Sequence, residues 1–446
     1  MSTINFSNAS IWRKLPPLSR RQRASATVKK GAWGDGWLLS ICVGRVFAYA
    51  NFMVYAACLP ILIEAWAMSA AQAGSVVSGF SLGYAASLVL WSWLAGRFGA
   101  RRVFVLSAVA TAATALAFGF LARDYASGLA LYTLVALSQG GVYTPGIMLL
   151  AEWYDPRRRG SAVGWFIAST SVAYAFSLLA SGLMLAWGGY RLAFVGTGLL
   201  PVVGAAILWA ALRHTPNTVP ERAAGRGLAA AVWKHANTRR LVAGYTCHSW
   251  ELLGMWAWTP AFLAASLVVS GRGSGRAVEA AAYLTAAMHV AGALASSTTG
   301  RLSDVLGRRA VLIALAAVAA ALSLAFGWLL TWSVPILVAL ALIYGAAAIG
   351  DSPVLSAALT EAVAPGQLGS VLAVRSLLGF GAGAISPLAF GLVLDLGGGE
   401  KAAAAWGPAF MVLGIGGLGA TWYAWRFRPA AVARASPELV GGKDQA

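Results

Sequence analysis

Twelve apolar runs, most of them close to twenty residues long and separated by short polar segments, leave this chain almost no choice of fold. They cover approximately Trp37–Ile63, Ser75–Ala95, Val103–Leu121, Leu129–Leu150, Ser161–Leu185, Leu192–Leu212, Leu241–Ser266, Ala280–Thr299, Ala310–Leu330, Ile336–Leu359, Ser370–Leu394 and Trp406–Trp425, numbered here as spans 1 to 12. A helix needs about 20 apolar residues to cross the hydrocarbon of a bilayer. Backbone amides find no water there, so a crossing segment is a helix or a strand of a closed barrel, and runs of this length select the helix. The expected fold is an all-α membrane protein. Only 11% of the residues are charged, 59% are hydrophobic and the mean hydropathy is +0.71, whereas soluble domains are about a quarter charged.

The net charge of +18 raises the question of a nucleic-acid partner. Such partners need a basic face, and here the charge is scattered between apolar runs, so none is expected. Of the 33 Lys and Arg, 26 fall in the N-terminal tail, the C-terminal tail and the loops after the even-numbered spans; five fall in the opposite loops, and Arg45 and Arg375 lie inside spans. By the excess of positive charge on the cytoplasmic side, both termini are expected in the cytoplasm, of a multi-pass protein in a bacterial inner membrane. The partners expected are the lipid bilayer and a small-molecule substrate, for a monomer.

The organisation follows from the polar interruptions. Residues 1–36 form a basic cytoplasmic tail, 37–212 a first six-helix bundle, 213–240 a linker with Pro216 and Pro220, 241–425 a second six-helix bundle, and 426–446 a C-terminal tail. The two bundles read as a duplication. Gly300-Arg301-Leu302-Ser303-Asp304-Val305-Leu306-Gly307-Arg308-Arg309 has a worn copy 208 residues earlier, Ser92-Trp93-Leu94-Ala95-Gly96-Arg97-Phe98-Gly99-Ala100-Arg101-Arg102. Pro145 and Pro353 are also 208 apart, and Glu152/Glu361 and Gly160/Gly369 are 209 apart.

This repeated motif resembles the loop between the second and third helices of each half in the major facilitator superfamily of transporters. The resemblance covers about Trp37 to Trp425 and implies two pseudo-symmetric six-helix bundles with substrate held between them, working by alternating access. It also implies that Asp304, Gly307, Arg308 and Arg309 form a conformational latch, of which Arg97 and Arg101 are the counterpart. The first copy has Gly96 where the second has Asp304, so that latch lacks its acid. By the same resemblance, spans 1, 4, 7 and 10 line the cavity.

Charges inside spans carry the functional signal, because an ionisable group in hydrocarbon costs several kcal/mol unless it meets a cavity or a partner. Arginine stays protonated, so Arg45 and Arg375 need a carboxylate, backbone oxygens or an anionic substrate. Glu251 is one acid that could neutralise Arg45. His248 and Glu251 are three residues apart on one helical face and form a candidate proton-coupling pair, with Asp351 as a third member. Asp351 sits between Gly350 and Pro353, opposite Tyr143 in the other half, where proline and glycine loosen the helix. Tyr143, Asn51 and Trp250 are candidate substrate contacts together with the two arginines. Trp250, Trp256 and Trp258 could wall a cavity or pack.

No metal-ligand spacing and no phosphate-binding loop occurs, so neither a cofactor, a metal nor enzymatic catalysis is expected, and transport would draw on a gradient. Among relatives by resemblance, drug/proton antiporters carry Gly-x8-Gly-Pro-x3-Gly in span 5, which Gly164 to Ser177 does not match, and the span 5 signature of nitrate porters is also missing. Two in-span arginines point to a small organic or inorganic anion carried with proton coupling or by exchange. An exporter of amphipathic compounds and a transporter-like sensor are the alternatives.

Overall fold

The computed structural model describes residues 35–219, 235–363 and 365–428. Most of the basic tail, the centre of the linker and the C-terminal tail lie outside the described residues. Every regular element among the described residues is a helix. Ten helices among the described residues are long and apolar enough to cross a membrane. One of them, Pro156–Leu212, is broken at Gly188 and Gly189 and supplies spans 5 and 6. The shorter helices Asp35–Ala48 and Val54–Ala65 together make span 1, which brings the crossings to twelve.

The helices outrun the apolar stretches that announced them. Span 2 occupies Ala70–Phe98, span 7 Ala236–Val269, span 8 Ser274–Leu306, span 10 Val334–Ala362 and span 11 Pro365–Leu396. Hydropathy registers only the part in contact with apolar surroundings, while the helix continues to its capping residue. Ser69 and Asp124 each close a capping box with the residue three positions on, satisfying amide groups that the helix start leaves open.

The duplication survives in backbone geometry. Gly99 and Gly307, 208 residues apart, turn span 2 into span 3 and span 8 into span 9 with φ of +91° and +87° and ψ of 141° and 140°. A side chain at such a φ would be strained, so both copies keep glycine.

Spans 1 and 4 are interrupted near their middles. The helix of span 1 stops at Ala48 and resumes at Val54. The freed groups are taken by side chains: Gln139 Nε2 donates to the Ala48 carbonyl at 3.2 Å, the Tyr132 hydroxyl to the Phe52 carbonyl at 2.5 Å, and the Met53 amide to Ser177 Oγ at 3.0 Å. In span 4 a 3-10 turn at Gly140–Val142 separates Tyr125–Gln139 from Thr144–Trp153. Trp91 Nε1 and Ser107 Oγ cap the Leu137 and Ser138 carbonyls at 2.8 and 2.5 Å. In span 10 Pro353 removes the amide that would meet the Ile349 carbonyl, and Ser296 Oγ donates to that oxygen at 3.0 Å while Thr299 Oγ1 takes the Gly350 carbonyl at 2.5 Å. Irregular backbone at membrane depth persists only with such internal partners.

The halves meet along spans 2 and 11 and along spans 5 and 8. A Cβ on Gly74 would overlap the Pro387 carbonyl, and one on Gly391 the Ala70 carbonyl, so the helices approach backbone to backbone. Among the described residues, the hydrogen bonds and ion pair that join the halves lie from mid-interface to the end opposite the termini, here the far face. Asp395 accepts from the Ala70 and Ala71 amides at 2.8 Å each, Lys401 pairs with Glu64 at 3.2 Å, and the Leu388 amide donates to Ser78 Oγ at 3.2 Å. Asp395 thus caps the start of span 2 from the other half of the molecule, where a carboxylate is favoured by the helix dipole. On the termini face the second half carries a cleft of about 1060 Å³, lined by His235, Arg240, Asp304, Arg308, Glu361 and Arg428 among others. On the far face the contacts between the halves surround a smaller pocket of about 300 Å³, lined by Glu64, Met68, Asp395 and Glu400 among others.

Candidate functional site

Arg45 lies where span 1 is about to break and is fully buried. Its Nη1 donates to the Phe166 carbonyl and to Ser169 Oγ at 3.1 Å. Its guanidinium sits over three rings, Phe166 at 4.1 Å, Tyr49 at 5.1 Å and Tyr143 at 5.2 Å. Nε and Nη2 are buried with no hydrogen-bond partner. Glu251 is not its counter-ion, contrary to one sequence expectation: Glu251 is turned into its own half, where Ser323 Oγ donates to it at 2.5 Å and itself meets the Tyr344 hydroxyl.

Arg375 approaches from the other half. Its guanidinium stacks on Tyr245 at 3.7 Å and Nη1 donates to Ser356 Oγ at 3.1 Å, while Nε is buried and unpartnered. Each cation thus rests on tyrosine rings of its own half, Arg45 over Tyr143 at 5.2 Å and Arg375 over Tyr245 at 3.7 Å. Among the described residues no carboxylate comes within 4.0 Å of either arginine.

His248 and Glu251 do not pair with each other. His248 Nδ1 instead lies 3.0 Å from Asp351 Oδ2, and its Nε2 meets Ser352 Oγ at 3.1 Å. Asp351 is 4% exposed, His248 2%, and Asp351 Oδ1 has no partner. Proline and glycine at 353 and 350 place Asp351 where spans 7 and 10 face each other, which spacing within span 7 alone could not reveal.

Asn51 occupies the break of span 1, accepting from Gln139 Nε2 at 2.9 Å. Trp250 does not join the group: its Nε1 donates to the Val412 carbonyl on span 12 at 2.8 Å. Trp258 is likewise a packing residue, bonded to the Pro387 carbonyl at 3.0 Å. Trp256 is the span 7 indole that faces the other half, in edge contact with Tyr174 at 5.2 Å and beside His289 at 5.4 Å.

The repeated motif is built into each half separately. Arg308 holds Asp304 at 2.5 Å and Glu361 at 2.9 Å, and also reaches the Gly300 carbonyl and Ser303 Oγ. Glu361 was visible in the sequence only as the repeat mate of Glu152. Arg309 donates to the Trp425 carbonyl at 2.8 and 3.1 Å, closing the end of span 12. In the first half the missing acid is replaced by the linker. Asn217 donates to the Phe98 carbonyl at 2.8 Å and accepts from the Arg102 amide at 3.0 Å, Arg101 donates to the Arg213 carbonyl at 3.0 Å, and Thr218 donates to Glu152 at 2.5 Å. Arg97 is exposed and lies over the Trp93 and Phe98 rings.

The chain matches the family model described as Major Facilitator Superfamily over residues 41–287 and 275–443. It is 28% identical over 357 residues to a probable 4-methylmuconolactone transporter of Cupriavidus pinatubonensis, covering 75% of this chain and 76% of that protein. It is 24% identical over 287 residues to a probable sulfoacetate transporter of Cupriavidus necator, covering 60% and 64%. Its fold is similar to that of a bacterial homolog of the human lysosomal transporter Spinster in an inward-facing, occupied conformation, with a TM-score of 0.69 at 18% identity over 87% of this chain and 96% of the other. With twelve helices in two repeated halves and a family match across nearly all of them, the chain is a membrane transporter of the Major Facilitator Superfamily.

Proposed function

We propose that the protein carries a small organic anion across the membrane by alternating access, coupled to protons or to exchange. One observation carries this reading: among the described residues, a fully buried guanidinium in one half, over the ring of Tyr143, and a partly buried one in the other half, over Tyr245, have no carboxylate beside them. A buried cation without a counter-charge is costly, and arginine cannot shed its proton. An anion between the halves supplies the missing charge and draws the halves together. Two similar proteins are named for sulfoacetate and for a lactone, in keeping with small organic acids as cargo.

In this reading Arg45, Arg375 and Tyr143 contact the substrate, and Asn51 holds the break of span 1 open toward it. His248 and Asp351, buried and 3.0 Å apart between spans 7 and 10, carry the coupled proton. Arg308 with Asp304 and Glu361 stiffens the second half at the cleft on the termini face. The termini are cytoplasmic, the membrane is a bacterial inner membrane, and the protein works as a monomer.

Counterflow into proteoliposomes with a panel of labelled organic anions tests this. Exchange of at least one anion, abolished by Arg45→Ala in a correctly inserted protein, is the expected result. Efflux of amphipathic dyes with no anion flux would replace this reading by the exporter, and no flux of either kind would leave a sensor.

A further inference from the structure

An unbroken aromatic wall leads away from Arg45. The guanidinium lies over Tyr49, which neighbours Phe52 at 5.8 Å and Tyr174 at 6.4 Å. Phe52 stacks on Tyr174 at 4.3 Å, and Tyr174 meets Trp256 and His289 of the other half at 5.2 and 5.9 Å. The wall ends in two polar atoms with no partner, Trp256 Nε1 and His289 Nε2, both buried. His289 is 1% exposed. An indole N–H can only donate, and a buried polar group left unpaired costs about 1–3 kcal/mol. Beside the wall, Phe52, Phe80, Tyr132 and Trp256 enclose only about 30 Å³, room for a water molecule and no more, so the wall is closed in this conformation.

We infer that the substrate is a flat, ring-bearing anion: its carboxylate or sulfonate is held by Arg45 and Arg375, its ring lies on the wall of Tyr49, Tyr174 and Trp256, and a hydrogen-bond acceptor on the ring takes the Trp256 N–H beside His289. This rests on the anion reading above and narrows it. Flat π-faces stack on aromatic side chains in offset or edge geometry, whereas an acyclic chain or a puckered ring gains little from such a wall. A ring acceptor satisfies an indole donor that nothing else in this conformation satisfies, and because Tyr174 and Trp256 belong to different halves, a ring on both favours closure.

The test uses the purified full-length protein and its thermal unfolding midpoint with four probes: pyridine-3-carboxylate, benzoate, cyclohexanecarboxylate and acetate. Pyridine-3-carboxylate is expected to bind about tenfold more tightly than benzoate, the discrimination of one hydrogen bond, and benzoate more tightly than the last two. Trp256→Phe keeps the ring and removes the donor, and should erase the difference between pyridine-3-carboxylate and benzoate while preserving the preference for both over cyclohexanecarboxylate. Equal stabilisation by acetate and the aromatic acids, or an unchanged ratio in Trp256→Phe, overturns the inference and leaves the anion reading standing. No stabilisation by any of the four, together with no anion counterflow, overturns both. Should Trp256→Phe fail to fold, the benzoate to cyclohexanecarboxylate ratio of the unaltered protein decides.

Discussion

His248 on span 7 holds Asp351 on span 10 at 3.0 Å, in a part of span 10 where Pro353 and Gly350 have already loosened the helix. The pair stands apart from Glu251, which is satisfied by Ser323, so one buried carboxylate is tied to a titratable partner and the other to a hydroxyl. Asp351→Asn is expected to lower uptake driven by a proton gradient by about tenfold or more, within the range of a single coupling interaction, while counterflow, which needs no net proton movement, survives. Loss of both in a folded variant would make the pair structural. Glu251→Gln should spare the coupling.

On the far face, Glu400 is pushed up to about 7 by burial and by the nearby charge of Glu64, with Lys401 opposing. Opening that face would return the carboxyl to water and to its ordinary range near 4.3. The closed state therefore binds the proton more tightly, and by linkage its advantage grows as pH falls through about 7 and is complete below about 4.3. Spectroscopic distances between labels at Ala71 and Gly399 should shorten on average between pH 8 and pH 5. Glu400→Gln should remove most of that dependence.

The linker is expected to be fastened by Asn217. Asn217→Ala removes two hydrogen bonds that bridge the turn at Gly99, each worth about 0.5–1.5 kcal/mol. Limited proteolysis of the linker should accelerate about tenfold, as a loss near 1.4 kcal/mol implies, with the transmembrane core left intact. An unchanged cleavage rate would show that Thr218 and Arg101 suffice.

Gly74 gauges how tightly the far face closes. A side chain there meets the Pro387 carbonyl, and overpacking of this kind costs about 1–3 kcal/mol. Gly74→Val should drive the halves apart on that face. A cysteine placed at the buried Ser81 would then react with an impermeant maleimide about tenfold faster from the far side.

Much of this was legible from residue types alone. The apolar runs located all twelve crossings because the bilayer requires a helix of fixed minimum length, and the repeat of Gly99 and Gly307 announced two equivalent turns. Arg45, Arg375, Asp351 and Tyr143 were conspicuous because each sits where an isolated polar group is costly. The pairings were not legible. Glu251 and His248 share a helical face yet turn to different neighbours, and only packing against spans 9 and 10 decides which. Trp250 and Trp256 are six residues apart on the same helix; the direction each faces depends on where span 12 and span 5 lie. His289 and Asn217 carried no signal, since a lone histidine in an apolar run and an asparagine after a proline are ordinary features until the fold gives them neighbours.

The uncompensated charge of Arg45 is tested most directly by isothermal titration of an organic anion that shows counterflow into the purified protein, alongside Arg45→Ala and Arg375→Ala. The two cations predict a loss of at least about tenfold in affinity for each variant, with the unliganded Arg45→Ala protein as stable as the original or more so, because a buried unpaired charge has been removed. Undiminished affinity in Arg45→Ala would contradict them.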